Sequence, residues 1–146
     1  MRLSKRTEYG LRAVVQLARL APSTYVQSKD LAASEEIPPK FLESILLALR
    51  RGGFLESKVG SGGGYRLSRS PSDLLVGEII RRLEGRLTAK ESAPTADLSP
   101  GNIAVRLINQ QLTGATDEVL DTMTLEQLVD QVARVTGPAQ QEMYYI

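Results

Sequence analysis

The chain has 146 residues, of which 42% are hydrophobic and 24% charged, and it contains neither cysteine nor histidine. This composition predicts one or two small folded domains. Without thiols or imidazoles there is no disulfide, no zinc or iron–sulfur ligand set and no cysteine- or histidine-based catalysis, so we expect neither an enzyme nor a bound metal or cofactor. Apolar runs are short, so we expect no membrane span or signal peptide, and a soluble cytoplasmic protein.

Charge is unevenly distributed along the sequence. Residues 1–69 hold 12 lysines and arginines against 6 acidic residues, whereas residues 70–146 hold 6 against 11. A basic half predicts a surface for a polyanion such as DNA, with a different role for the acidic half. The alternative is a chance distribution of solvated charges.

Three helices are predicted in the first third of the chain. Apolar residues recur at helical spacing over residues 5–20, and Pro22 ends this first helix. Ser28 is a suitable N-cap for a short second helix. Pro38 and Pro39 open a third helix, because proline is tolerated in the first helical turn.

A glycine-rich hairpin follows the third helix. Four of the five residues 60–64 are glycine, and short apolar strands flank them. Three helices followed by such a hairpin are typical of a winged helix-turn-helix, in which the third helix enters the major groove of DNA. Five cations surround the hairpin: Arg50, Arg51, Lys58, Arg66 and Arg69.

The second half predicts a fourth helix ending at Gly85, a long loop over residues 86–98, and a long helix that begins at Ser99 and Pro100. The long helix outreaches a small winged domain, so a second copy of the chain is expected to cover its apolar stripe. The stripe comprises Ile103, Leu107, Ile108, Leu112, Ala115 and Val119.

Thr124 and Gln127 have capping-box spacing and begin a last helix, which Gly137 and Pro138 end. The predicted fold is therefore mainly α with a small β-hairpin wing: a winged helix-turn-helix domain plus a long C-terminal dimerisation helix. We assign residues 1–84 to the DNA-binding domain, 85–98 to a sensor-type loop, 99–136 to the dimerisation and closing helices, and 137–146 to a flexible tail.

Three groups of residues are candidates for DNA contact. The start of helix 1 is placed to clamp phosphates, the outer face of helix 3 to read bases, and the wing to enter or skirt the minor groove. The alternatives are an ordinary solvated terminus with Tyr9 in the core, a solvated helix face, and a merely flexible hairpin. The candidates are Arg2, Ser4, Lys5, Arg6, Tyr9, Ser28, Lys40, Phe41, Glu43, Ser44, Lys58, Gly60, Ser61, Gly62 and Tyr65.

Five segments, in order and spacing, resemble one known family, the Rrf2-type bacterial transcription regulators. They are residues 1–13, 37–49, 60–65, 76–80 and 124–129. The resemblance implies a DNA-binding homodimer with a winged domain in each protomer, a long crossing helix at the interface, and a sensor loop before that helix. In many members three cysteines in that loop hold an iron–sulfur cluster.

The sequence departs from the family pattern at two places. The loop over residues 91–104 has Ser92 and Ser99 but no thiol, and a neutral serine hydroxyl is a poor iron ligand. We therefore expect no cluster: either this is a cluster-free member, or these serines are engineered replacements. Val59 lies where some members place an arginine that reaches DNA; Lys58 beside it takes over that contact only if it points the same way.

The function that follows is a sequence-specific DNA-binding regulator, a repressor, which acts as a homodimer on double-stranded DNA at a palindromic operator with half-sites about one to two helical turns apart. The alternative is a winged-helix protein-interaction module that docks on a partner protein through its basic face. Steep salt dependence separates the first from the second. Any effector is unknown; by position alone, its nearest polar candidates are Glu84, Arg86 and Arg106.

Overall fold

The computed structural model describes residues 2–20, 23–85 and 99–144. It is mainly helical with one two-stranded antiparallel hairpin, which confirms the predicted fold class. Single-turn 3-10 geometry over Pro71–Asp73 follows the hairpin. The elements are α1 Lys5–Arg19, α2 Ser28–Glu35, α3 Pro39–Arg51, β1 Leu55–Lys58, β2 Gly64–Leu67, α4 Val76–Glu84, α5 Pro100–Thr122 and α6 Leu125–Tyr144.

The first three helices form around one hydrophobic core. Ser4 caps α1, because its side chain accepts a hydrogen bond from the Thr7 N–H at 3.2 Å. Pro39 is the first residue of α3, as predicted. The cap of α2 was predicted wrongly: Ser28 is the first helical residue, and Gln27 occupies the N-cap without a side-chain bond. The predicted role of Pro22 lies outside the described residues.

The wing is attached to the segment that precedes α2. Strands β1 and β2 pair antiparallel with Leu55 opposite Leu67. Val26 adds a short bridge, since its N–H and carbonyl each bond the backbone of Tyr65 at 2.8 Å. Gly64 permits this approach, because it has a φ of 132° and a Cβ there would overlap the Val26 carbonyl. Strand β2 is therefore hydrogen-bonded along both of its edges, to β1 on one side and to Val26 on the other.

The long helix α5 is joined to the winged domain through its C-terminal half. A Cβ on Gly77 of α4 would overlap the carbonyl of Leu120, so only glycine allows these helices to pack this closely. The α5–α6 link pairs with the segment before α4, where the Leu125 N–H donates to the Leu74 carbonyl at 2.8 Å. The predicted capping box is confirmed: the Thr124 N–H donates to the Gln127 side chain at 2.9 Å, and the Gln127 N–H donates to the Thr124 hydroxyl at 3.1 Å.

The last helix differs from its prediction. The backbone of α6 leaves helical geometry at Gly137, with φ 48° and ψ 179°, but helical conformation resumes and continues to Tyr144. The predicted stop at Gly137 is thus a break between two helical stretches. The flexibility of the tail over residues 137–146 stays a prediction. Loop residues 86–98, including Ser92, lie outside the described part of the chain.

Candidate nucleic-acid interface

The outer face of α3 carries all four of its predicted DNA-contacting residues. Its other face is fully buried, because Leu42, Ile45, Leu46 and Leu49 point into the core. This burial fixes the rotation of the helix about its axis and leaves a polar face towards solvent. The residues on the exposed face are Lys40, Phe41, Glu43 and Ser44.

The start of α1 contacts that face directly. The Arg6 guanidinium donates to the Ser44 hydroxyl at 3.3 Å. The rings of Tyr9 and Phe41 pack edge to face, with centroids 5.5 Å apart. Tyr9 is therefore half-buried between the two helices and packs against the core, and its contact with DNA stays a prediction. The basic N-terminus of α1 and the outer face of α3 form one continuous surface.

The charges on this surface are largely available to a ligand. Lys5 pairs with Glu8 at 3.3 Å, but both side chains are well exposed, so water and salt screen the pair. Arg2 and Lys40 are exposed and form no ion pair within the described residues. The guanidinium of Arg12 is held by the carbonyl of Glu35 and lies 5.6 Å from the Tyr9 ring.

The wing presents a different chemistry at its tip. Lys58, Gly60, Ser61 and Gly62 are exposed, as predicted, and Val59 is 96% exposed. Tyr65, another predicted contact, is half-buried and packs against the hydrophobic core. We define the reading surface as the outer face of α3, the α1 start from Arg2 to Tyr9, and wing residues 58–62. Ser28 is half-buried in the first turn of α2.

Sequence reasoning missed Tyr25 at the side of the wing. Its ring lies 4.4 Å from the Arg66 guanidinium carbon and 5.9 Å from the Lys58 ammonium. Arg66 is also paired with Glu56 across the hairpin at 3.1 Å. Tyr25 lies in a link without periodicity, so only the flanking Val26 bridge, visible in three dimensions, brings it to the wing.

Glu84 anchors the start of α1. Its carboxylate accepts a hydrogen bond from the Ser4 N–H at 2.6 Å. This bond, followed by one from the Thr7 hydroxyl, holds the pKa of Glu84 below its ordinary value. Three polar residues were named as candidates for binding an effector. Of these, Glu84 is already hydrogen-bonded within the fold, Arg106 is exposed on α5, and Arg86 lies outside the described residues.

Arg81 joins α4 to α5. Its guanidinium donates to Asp121 at 2.6 Å and to Asp117 at 3.1 Å, one helical turn apart. The hydrogen bond to Asp121, and then that to Asp117, raise the pKa of Arg81 above its ordinary value. No local pattern predicts this contact, because Arg81 is separated from the two aspartates by 36 and 40 positions.

The exposed apolar residues of α5 lie on two faces. None of the described residues 100–122 is buried, and all six predicted interface residues are exposed. Spacings of three and four residues place one row on a single face, which we call the α5 seam: Val105, Ile108, Leu112, Ala115 and Val119.

Ile103 and Leu107 lie elsewhere on the helix. At 3.6 residues per turn they project roughly 120–160° away from the seam. The six residues predicted as one apolar stripe therefore do not share one face of α5, whereas Val105, which is 61% exposed, lies on the seam. That these residues form a dimer interface stays a prediction.

Comparison with known proteins identifies the architecture. Residues 3–131 match the Rrf2 family, described as an iron-dependent transcriptional regulator. The chain belongs to the Rrf2 family. This confirms the resemblance drawn from the five segments, and it makes the chain a DNA-binding transcriptional regulator rather than an enzyme.

Individual Rrf2 proteins are similar over almost the whole chain. The regulator CymR of Bacillus subtilis is 31% identical over 146 residues, covering 100% of both chains. The structure of B. subtilis CymR, titled the global cysteine regulator, aligns with a TM-score of 0.75 at 29% identity, over 90% of this chain and 98% of that one. The structure of IscR from T. potens aligns with a TM-score of 0.78 at 29% identity, over 94% and 92%.

The iron in the family description does not fit the residues of this Rrf2 protein. Iron–sulfur clusters are held by thiolates, in some cases with imidazoles, and the chain has 0 cysteines and 0 histidines. Among the described residues no group of three or more acidic side chains is placed to hold a metal ion. Ser99 has a structural role instead, because its side chain accepts from the Asn102 N–H and caps α5. No described helix is long and apolar enough to cross a membrane.

Proposed function

We propose that this Rrf2 protein is a cluster-free repressor that binds a palindromic operator as a homodimer in the bacterial cytoplasm. The observation that carries the proposal is the reading surface, in which the Arg6–Ser44 and Tyr9–Phe41 contacts join the α1 start to the outer face of α3, and to which the exposed wing residues 58–62 also belong. Occupancy of an operator is sufficient to exclude polymerase, so repression needs no surface beyond this one.

The residues of the reading surface divide into two roles. Arg2, Lys5 and Arg6 lie near the α1 N-terminus and bind phosphates, which gives affinity without sequence preference. On α3, Lys40 and Ser44 contact phosphate or base edges, and Glu43 accepts a hydrogen bond from a cytosine amino group. A carboxylate repels phosphates, so its presence on this face favours a role in discrimination.

The α5 seam supports the homodimer. Five exposed apolar residues with heptad spacing are typical of a helix that packs against another helix. A two-fold axis through the seam pairs identical faces and presents two reading surfaces to the two halves of a palindrome.

Selection of binding sites from random duplex DNA by the purified protein tests this function. We expect a palindrome to be enriched, and its affinity to fall linearly with the logarithm of salt concentration, with a slope near −0.9 for each phosphate contact. In transcription with purified polymerase, a template carrying that site should give less product when the regulator is added. Failure to enrich any palindrome at low salt would contradict the proposal.

Two further measurements separate the roles. Glu43→Ala should broaden the base preference at one position of each half-site while leaving nonspecific affinity equal or higher. Lys40→Ala is the matched variant on the same face. If Lys40 contacts a phosphate, this variant should bind all DNA sequences more weakly to the same extent, and the slope of its affinity against salt concentration should be smaller by about one. If Glu43→Ala keeps the base preference of the wild type, Glu43 does not read a base. An iron chelator should leave operator affinity unchanged.

A further inference from the structure

The tip of the wing carries no charge, and its one large side chain is apolar. Val59 follows β1 and is 96% exposed, while the next residues, Gly60, Ser61 and Gly62, are uncharged and exposed. An apolar side chain this exposed is shielded from water only when another molecule packs against it. In a DNA complex the tip lies beside the recognition helix, where the minor groove flanks the sequence read by α3.

The neighbouring cation is directed to the side of the wing. The Lys58 ammonium lies 5.9 Å from the centre of the Tyr25 ring, and the Arg66 guanidinium stacks on the same ring at 4.4 Å. Val59 is the first residue beyond β1 and is 96% exposed, so it does not share the contact that Lys58 makes with Tyr25. Lys58 therefore does not supply a cation at the tip, and its charge is placed for a phosphate beside the groove.

We propose that Val59 is a specificity-determining residue: its methyl groups pack against deoxyribose edges of the minor groove, and no guanidinium enters the groove beneath the wing. Arginine is attracted by the enhanced negative potential of a narrow A·T-rich minor groove, whereas an uncharged valine is not. The operator position under each wing is then not selected for a narrow A·T tract. This inference rests on the proposed operator-binding function.

Four proteins test the inference: the wild type, Val59→Ala, Val59→Arg and Val135→Ala. Val135 is a matched control, since it is also a valine, is 86% exposed and lies on α6 outside the reading surface. Binding to the selected operator is measured by fluorescence anisotropy over a series of salt concentrations, and site selection is repeated with Val59→Arg. Thermal unfolding of each variant establishes that it is folded.

We expect Val59→Ala to lower operator affinity about threefold to tenfold with an unchanged salt slope, because it removes apolar contact and no charge. Val135→Ala should bind like the wild type. Val59→Arg should steepen the salt slope by about 0.9 per protomer and newly enrich A·T pairs under the wing.

Two results would overturn the inference. One is equal binding by Val59→Ala, Val135→Ala and the wild type. The other is an A·T tract already selected beneath the wing by the wild type and lost in Lys58→Ala, which would assign the groove contact to Lys58. Failure of the wild type to select any site is a separate outcome, and it removes the proposed operator-binding function itself.

Discussion

Replacing Leu112 by alanine at the centre of the α5 seam should dissociate the proposed dimer. In the protomer this leucine is 58% exposed. Full burial of a leucine side chain contributes about 1.5–3 kcal/mol, so burying the exposed fraction contributes about 0.9–1.7 kcal/mol in each protomer. Two copies meet in a two-fold dimer, and the dimer should lose roughly 2–3.5 kcal/mol, which is a roughly 30- to 400-fold increase in the dissociation constant.

Sedimentation equilibrium measures this change directly. Leu107→Ala is the comparison, because it makes the same chemical change on the same helix at a leucine that is 51% exposed but lies off the seam. We expect Leu112→Ala to become monomeric at concentrations where the wild type and Leu107→Ala remain dimeric. The assignment of the dimer interface to the seam would be refuted if both variants weakened the dimer equally, or if Leu112→Ala did not weaken it.

Three further predictions concern how the winged domain is held. Arg81→Ala should lower the free energy of unfolding by about 1 kcal/mol in low salt, because its ion pairs are partly exposed, and the loss measured by urea unfolding should shrink near 1 M salt. The lowered pKa of Glu84 adds stability that is complete above the ordinary glutamate pKa and is lost as the pH falls through the lowered value. The stability difference between the wild type and Glu84→Gln should therefore narrow below about pH 4 in chemical unfolding, and a constant difference would count against the Ser4 bond. Gly77→Ala should lower the free energy of unfolding by about 1–3 kcal/mol, because the added Cβ would overlap the Leu120 carbonyl. An unchanged midpoint of thermal unfolding would show that α4 and α5 can move apart without cost.

Local features of the fold were predictable because each depends on neighbours in sequence. The proline at the start of α3, the Ser99 cap and the Thr124 capping box all act within three or four residues, and all are present. The N-cap of α2 was predicted one position too late, since Gln27 is the N-cap and makes no side-chain hydrogen bond, while Ser28 is the first helical residue.

Contacts between distant segments were not predictable from one sequence. The bridge from Val26 to Tyr65 and the bond from Arg6 to Ser44 depend on how the helices pack, and no local pattern encodes them. The six residues predicted as one stripe on α5 are a different case. Ile103 and Leu107 match helical spacing with each other, but at 3.6 residues per turn their phase along the helix over 100–122 differs from that of Leu112.

The rigid joint around Gly77 has a consequence for how such regulators diversify. The helix α5 is held to the winged domain at Leu120 and Arg81, while its seam lies along the rest of the helix. In the proposed dimer, the distance between the two reading surfaces would therefore be set by α5 and its packing. In that proposed dimer, the bases read would depend on α3 and the wing. Substitutions in one region would then change the target sequence without changing half-site spacing, and substitutions in the other would do the reverse. Operator sequence and operator geometry would be two separable traits of one short chain.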